Sequence, residues 1–137
     1  MVIKAAAVAD FRPRQVAADK LHRDAPPILE LEATEDITCS VAEHKGPAVL
    51  LIAFAAEMGL DIVRAREKLL RKGADAIVLN DISGTGVGFD SERNAAIFLT
   101  HESEVYLAES TKSEIASQIL DQVSSLRSHR LLMQELR

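Results

Sequence analysis

Apolar runs broken by turn residues set the organisation of this chain. Val2-Ile3-Lys4-Ala5-Ala6-Ala7-Val8-Ala9 is a run of small and β-branched residues that stops at Asp10-Phe11-Arg12-Pro13. A short apolar run bounded by turn signals predicts a strand covered on both faces, as in a parallel sheet. Residues 12–27 carry charges and little periodicity, which predicts a long loop; loops of this length are often lids over a site. Ile28-Leu29-Glu30-Leu31-Glu32-Ala33 alternates with period two and predicts a half-exposed strand. Thr34 can cap a helix that runs to about His44, with Glu35 and Asp36 suiting the dipole of its first turn. Lys45-Gly46-Pro47 stops that helix.

Residues 48–56 form the most apolar stretch and predict a central parallel strand. Gly59 and Asp61 lead into a helix over 62–72, with Ile62, Ala65 and Leu69 on its inner face, Leu70 as a further candidate there, and Gly73 at its end. Residues 76–81 predict a third buried strand ending in Asn80-Asp81. Residues 95–100 and 105–108 read as a hairpin. Thr111 then opens a last helix with Ile115, Ile119, Leu120 and Val123 at core spacing, fraying after Ser128 over about 129–137. Strand and helix in alternation predict an α/β fold with a parallel sheet, in a single domain over 1–137. The first strand has central character, so the sheet is expected to continue past it into a larger domain.

Composition narrows the function classes. The chain has 137 residues, 47% hydrophobic and 27% charged, with a net charge of −5. That balance argues against a nucleic-acid partner, which calls for a basic stripe. A single cysteine, Cys39, excludes an intrachain disulfide and fits a reducing compartment. No apolar run approaches the roughly 18 residues of a membrane span and no signal peptide leads the chain, so a cytoplasmic protein without a membrane partner is expected. His22, His44, His101 and Cys39 lack ligand spacing, which predicts no metal site made by protein groups alone. The glycines at 84, 86 and 88 do not match the dinucleotide spacing and disfavour an NAD-binding half-domain.

Three apolar strands end in Asp10, in Phe54-Ala55-Ala56 and in Asn80-Asp81. If they are parallel neighbours, these groups meet at the carboxyl edge of the sheet, where open α/β folds bind ligands. Lys68 and Lys72 lie four apart and share a helix face. They suit a phosphate, though taken alone such pairs are more often solvated. Lys20 is either a mobile cation that closes over an anionic ligand or an ordinary loop lysine.

Taken in order, these blocks resemble the carboxyl-terminal part of the phosphopantothenate–cysteine ligase domain, which in bacterial coenzyme A synthesis is fused behind a flavin-dependent decarboxylase. The matching residues are Ala5-Ala6, Val8-Ala9-Asp10-Phe11-Arg12-Pro13, Lys20, Phe54-Ala55-Ala56-Glu57, Ala65-Arg66-Glu67-Lys68, Arg71-Lys72-Gly73, Asn80-Asp81, Gly88-Phe89-Asp90-Ser91 and Asn94. They span residues 2–126 in unbroken order.

The resemblance implies an incomplete Rossmann-like three-layer α/β fold with a small β-hairpin that serves dimerisation. It implies CTP as co-substrate with Mg²⁺, and no flavin in this portion. It also implies activation of 4′-phosphopantothenate as an acyl-cytidylate, followed by amide formation with cysteine. In the family, residues matching Asp10, Lys20, Glu35, Asp36, Ile37, Thr38, Phe54, Lys68 and Lys72 contact the nucleotide. Lys20 is implied to be catalytic, on a flap over about 12–27, and Asp10 to share the metal with the nucleotide phosphates. The family's Lys-x-Lys flap reads Lys20-Leu21-His22-Arg23 here, and its Pro-Asp at the helix start reads Glu35-Asp36. The glycine-rich amino-terminal half of the family's site lies outside this sequence. The competing reading is a non-catalytic nucleotide-binding or dimerisation module.

Overall fold

A computed structural model describes residues 1–20, 28–82 and 92–136. Among the described residues seven strands and three helices follow one another: β1 (Val2–Lys4), β2 (Phe11–Pro13), β3 (Leu31–Ala33), α1 (Ile37–His44), β4 (Leu51–Glu57), α2 (Ile62–Lys72), β5 (Ala76–Asp81), β6 (Arg93–Thr100), β7 (Glu104–Thr111) and α3 (Lys112–Glu135). Five strands form one sheet in the order β1-β4-β5-β6-β7. The pairs β1–β4 and β4–β5 are parallel, while β5–β6 and β6–β7 are antiparallel. The hairpin read over 95–108 is therefore integral to the sheet and longer than expected. A separate two-stranded ribbon is made by β2 and β3.

The unbroken apolar runs of β4 and β5 follow from cover on both faces. Ile52, Ala76, Val78, Ala96, Phe98 and Leu107 face α3 and pack on its Ile115, Ile119 and Val123. Leu51, Ala53, Ile77, Leu79, Ile97 and Leu99 face the other way, onto Ala65 and Leu69 of α2. Helix, sheet and helix make the three layers of the Rossmann-like α/β arrangement.

Each helix is closed by the chemistry of its ends. Asp61 caps α2 by accepting from the Arg64 N–H at 3.0 Å, and Gly73 ends it in the left-handed region at φ +59°. A Cβ at Gly73 would stand 3.0 Å from Ala42 Cβ. Gly73→Ala is therefore expected to cost about 1–2 kcal/mol from the backbone alone, read as a lower melting temperature. An unchanged melt would show that the turn relaxes without cost. On α3, Thr111 and Glu114 form a capping box.

Four local expectations are corrected. The first strand is regular only over Val2–Lys4 and pairs with β4 alone, so Val2 is exposed and Val8 lies outside any core cluster. The 12–27 loop begins as ribbon: Arg12 pairs with Glu32 at 2.7 Å, and the Arg14 N–H donates to the Glu30 carbonyl at 2.9 Å. Residues 21–27 lie outside the described set. The strand expected over 28–33 is regular only over 31–33, and Leu29 and Leu31 are exposed because the ribbon packs on no core. The tail does not fray at Ser128; α3 continues to Glu135, held where Arg130 reaches the Asp75 carboxylate and donates to the Pro47 carbonyl at 3.4 Å.

Candidate functional site

A cavity of about 320 Å³ opens beside the start of α1. The end of β1 supplies Lys4 and the stretch after it supplies Ala6, Ala7, Val8 and Asp10 to its wall. Thr34 to Thr38 supply the loop and first turn of α1, β4 supplies Ala53 and Phe54, and α2 supplies Lys68 and Lys72. Of the residues singled out in the sequence, Asp10, Glu35, Asp36, Ile37, Thr38, Phe54, Lys68 and Lys72 all line this one space. Lys20 does not; it is exposed on the arm that leads away from the ribbon. The glycine-rich 83–89 segment and the 88–91 block lie outside the described residues.

Local chemistry explains the arrangement. Thr34 does not cap α1. Its hydroxyl donates to the Ala9 carbonyl at 2.6 Å and its N–H to the Asp10 carbonyl at 2.9 Å, clamping the foot of the ribbon to the residues that lead into β2. This clamp holds Asp10 next to the helix start. The cap is Asp36, whose carboxylate accepts from the Thr38 and Cys39 N–H groups at 3.1 and 3.2 Å. Lys72 also reaches the Asp36 carboxylate. Partial burial opposes ionisation of Asp36, but the Lys72 ammonium and the Cys39 donors outweigh it and bring the carboxyl down to about 2. Lys68 Nζ lies 3.3 Å from Glu57 Oε1, at the end of β4. Four-residue spacing on α2 thus aims both ammonium groups into one cavity.

The strand-end convergence holds in part. Asp10 and Phe54 share the cavity, whereas Asn80 and Asp81 do not line it. Asp81 accepts from the Gly59 N–H at 3.2 Å and so shapes the turn before α2. Asn80 opens to the opposite face of the sheet, into an apolar cavity of about 420 Å³ against α3, and its Oδ1 is buried there without a hydrogen-bond partner. Phe54 lines both cavities, and its side chain packs with the core on the α3 face of the sheet.

Sequence reading did not assign Lys4 or Glu57. A lysine inside an apolar strand was the signal for Lys4. Nothing local signals Glu57, because its partner comes from the next helix. As for a metal, among the described residues no group of three or more His, Cys, Asp or Glu could hold one. The Asp10 carboxylate is the kind of single ligand that a hard cation such as Mg²⁺ takes when phosphates and water complete its shell. No helix among the described residues is long and apolar enough to cross a membrane.

Comparison with known proteins gives this geometry its context. The chain is 35% identical over 128 residues to a cysteine/cysteine sulfinic acid decarboxylase from an unknown prokaryotic organism, covering 92% of this chain and 36% of that protein. It is 37% identical over 128 residues to the coenzyme A biosynthesis bifunctional protein CoaBC of Bacillus subtilis, covering 92% of this chain and 31% of that one. The chain thus spans about a third of the length of these relatives. The crystal structure of the C-terminal domain of a CoaBC protein superposes with a TM-score of 0.72 at 34% identity, covering 93% of this chain and 56% of that one. The family model of the DNA/pantothenate metabolism flavoprotein C-terminal domain matches residues 1–126, and the chain belongs to that family.

Proposed function

We propose that this chain is the nucleotide-binding portion of a phosphopantothenate–cysteine ligase acting in coenzyme A biosynthesis in the cytoplasm. One observation carries the reading. Acids, lysines, a helix amino terminus and an aromatic ring, separated by up to 62 residues of sequence between Asp10 and Lys72, surround a single cavity. Those are the groups a nucleoside triphosphate with its metal calls for.

In this reading Lys68 and Lys72 neutralise the triphosphate of CTP, the N–H groups of Ile37 and Thr38 point at it, and Phe54 lies against the nucleoside. Asp10 holds Mg²⁺ together with the phosphates, and the cation supplies charge neutralisation at the reacting phosphate. The carboxylate of 4′-phosphopantothenate attacks the α-phosphorus and pyrophosphate leaves, giving the acyl-cytidylate. The cysteine amine then attacks the acyl carbon, CMP departs, and the amine loses its proton as the amide forms. Lys20 is the flap cation that closes over the phosphates and the acyl group. Catalysis here is positioning and charge neutralisation. A homodimer belongs to the same reading, supported by Phe11 and Leu31, which the ribbon leaves exposed.

The test is calorimetric titration of the chain with CTP and with ATP, each with Mg²⁺. Saturable binding with CTP preferred is the expected result. No detectable heat from either nucleotide would overturn the nucleotide-site reading.

A further inference from the structure

The charges lining the cavity cancel. Lys4, Lys68 and Lys72 face Asp10, Glu35 and Asp36, three against three. The two lysines on α2 are also already engaged, Lys72 by Asp36 and Lys68 by Glu57 at 3.3 Å. Asp36 does a second thing at the same time: it accepts from the Thr38 and Cys39 N–H groups at the start of α1. A phosphate entering this cavity would look for an ammonium group and for the free N–H donors of a helix amino terminus. One carboxylate holds both. The Lys72 side chain is 21% exposed and that of Asp36 41%, so solvent screens this pair in part.

We propose that Asp36 is a built-in substitute for a nucleotide phosphate, occupying Lys72 and the α1 amino terminus until a triphosphate displaces it, and that its charge sets how tightly the site binds. Glu57 acts in the same way on Lys68. The proposal rests on the nucleotide reading of the cavity and adds the element that opposes binding. A displaced Asp36 stays close to the incoming phosphates, so the unmodified site gains more from a divalent cation than a site without that carboxylate. The acid found where the sequence departs from the family's Pro-Asp, Glu35, adds a further negative charge at the same place.

The opposing possibilities give opposite signs. If Asp36 served the ligand directly, by holding the metal or the sugar, removing its charge would weaken binding. If the pair were only a surface contact, removing it would change nothing.

The experiment compares the full chain with its Asp36→Asn and Glu57→Gln variants by calorimetry, using inorganic tripolyphosphate and CTP, each with and without Mg²⁺. Tripolyphosphate has no sugar or base and isolates the phosphate contacts. Asparagine caps a helix as well as aspartate does, so circular dichroism is expected to show α1 intact. Asp36→Asn is expected to bind tripolyphosphate roughly three- to tenfold more tightly without Mg²⁺, from release of a partly screened ion pair, and to gain less from added Mg²⁺. Glu57→Gln is expected to shift in the same direction and decides the matter if Asp36→Asn does not fold. Unchanged or weaker binding of tripolyphosphate by the folded variants overturns the proposal while wild-type binding of CTP leaves the nucleotide reading standing. No binding of either ligand by the wild-type chain overturns both.

Discussion

Asp75→Ala is expected to lower the unfolding free energy by about 3–5 kcal/mol, the cost of breaking a buried pair from one side. Asp75 stands just before β5 with its side chain only 11% exposed. Its carboxylate accepts from Lys45 Nζ at 2.8 Å and from the Leu51 N–H at 2.7 Å, and it pairs with the Arg130 guanidinium. One side chain therefore joins the loop after α1, the start of β4 and the far end of α3. Alanine would strand the Lys45 ammonium, itself 14% exposed, and leave the Leu51 N–H unmet. Burial pushes the Asp75 carboxyl up, but Lys45, the Leu51 N–H and Arg130 together hold it below the ordinary value. The unfolded chain therefore takes up a proton at this carboxyl more readily than the folded one. The stabilisation is present in full above the unfolded pKa of about 4 and is lost as pH falls through the lower folded value. Urea unfolding at neutral and acid pH checks both parts: wild type should lose stability on acidification over that window, and Asp75→Ala should lose less. Equal urea midpoints for the two proteins at neutral pH would show the cluster to be ornamental.

The second large effect falls on binding. The double variant Lys68→Ala/Lys72→Ala is expected to weaken CTP affinity by about a hundredfold or more, since each hydrogen bond to a charged group contributes roughly 1.5–3 kcal/mol. The lower end of that range applies because both lysines give up existing partners when the phosphate arrives. The variant also leaves Asp36 without its cation beside the phosphates and Glu57 with only Arg64 at 3.9 Å, which adds repulsion to the lost attraction. Fold should survive, as both side chains lie at the rim of α2 while Ala65 and Leu69 hold its inner face. A change under about threefold in the calorimetric Kd would return both residues to the role of surface lysines.

What the sequence disclosed and what it hid divide along physical lines. Helix α2 is legible because its cap, its inner face and its terminating glycine all lie within thirteen residues, Asp61 to Gly73. Strand β5 is legible because cover on both faces leaves an unbroken apolar run. The β2–β3 ribbon is hidden because its strands are separated by a segment with little periodicity, so Arg12 has to find Glu32 across twenty residues. The extension of α3 past Ser128 is hidden for a similar reason: Arg130 is anchored by Asp75, which no local pattern connects to it. Within the site, Phe54 is legible from its apolar strand and Lys68 with Lys72 as a shared face, whereas Asp10 reaches the cavity from the residues before β2 rather than from the end of β1. The choice of Asp36 over Thr34 as the cap is not legible, since both are good caps and only the clamp between Thr34 and the Ala9 and Asp10 carbonyls decides between them. Glu57 lies outside the reach of any sequence window because its partner is brought to it by the return of α2 over the sheet.

The cancelling charges of the cavity bear on how a ligand arrives. An enclosed site with excess positive charge focuses its field outward and draws anions in from a distance. Here the wall offers no such field, and the chain as a whole carries −5. An anion must reach the cavity by unassisted diffusion, and its own metal ion lightens the repulsion it meets on the way. On the proposed nucleotide reading, selection among anions would take place after first contact, when the lysines exchange partners, so that the lifetime of the complex rather than the frequency of encounters would distinguish one nucleotide from another.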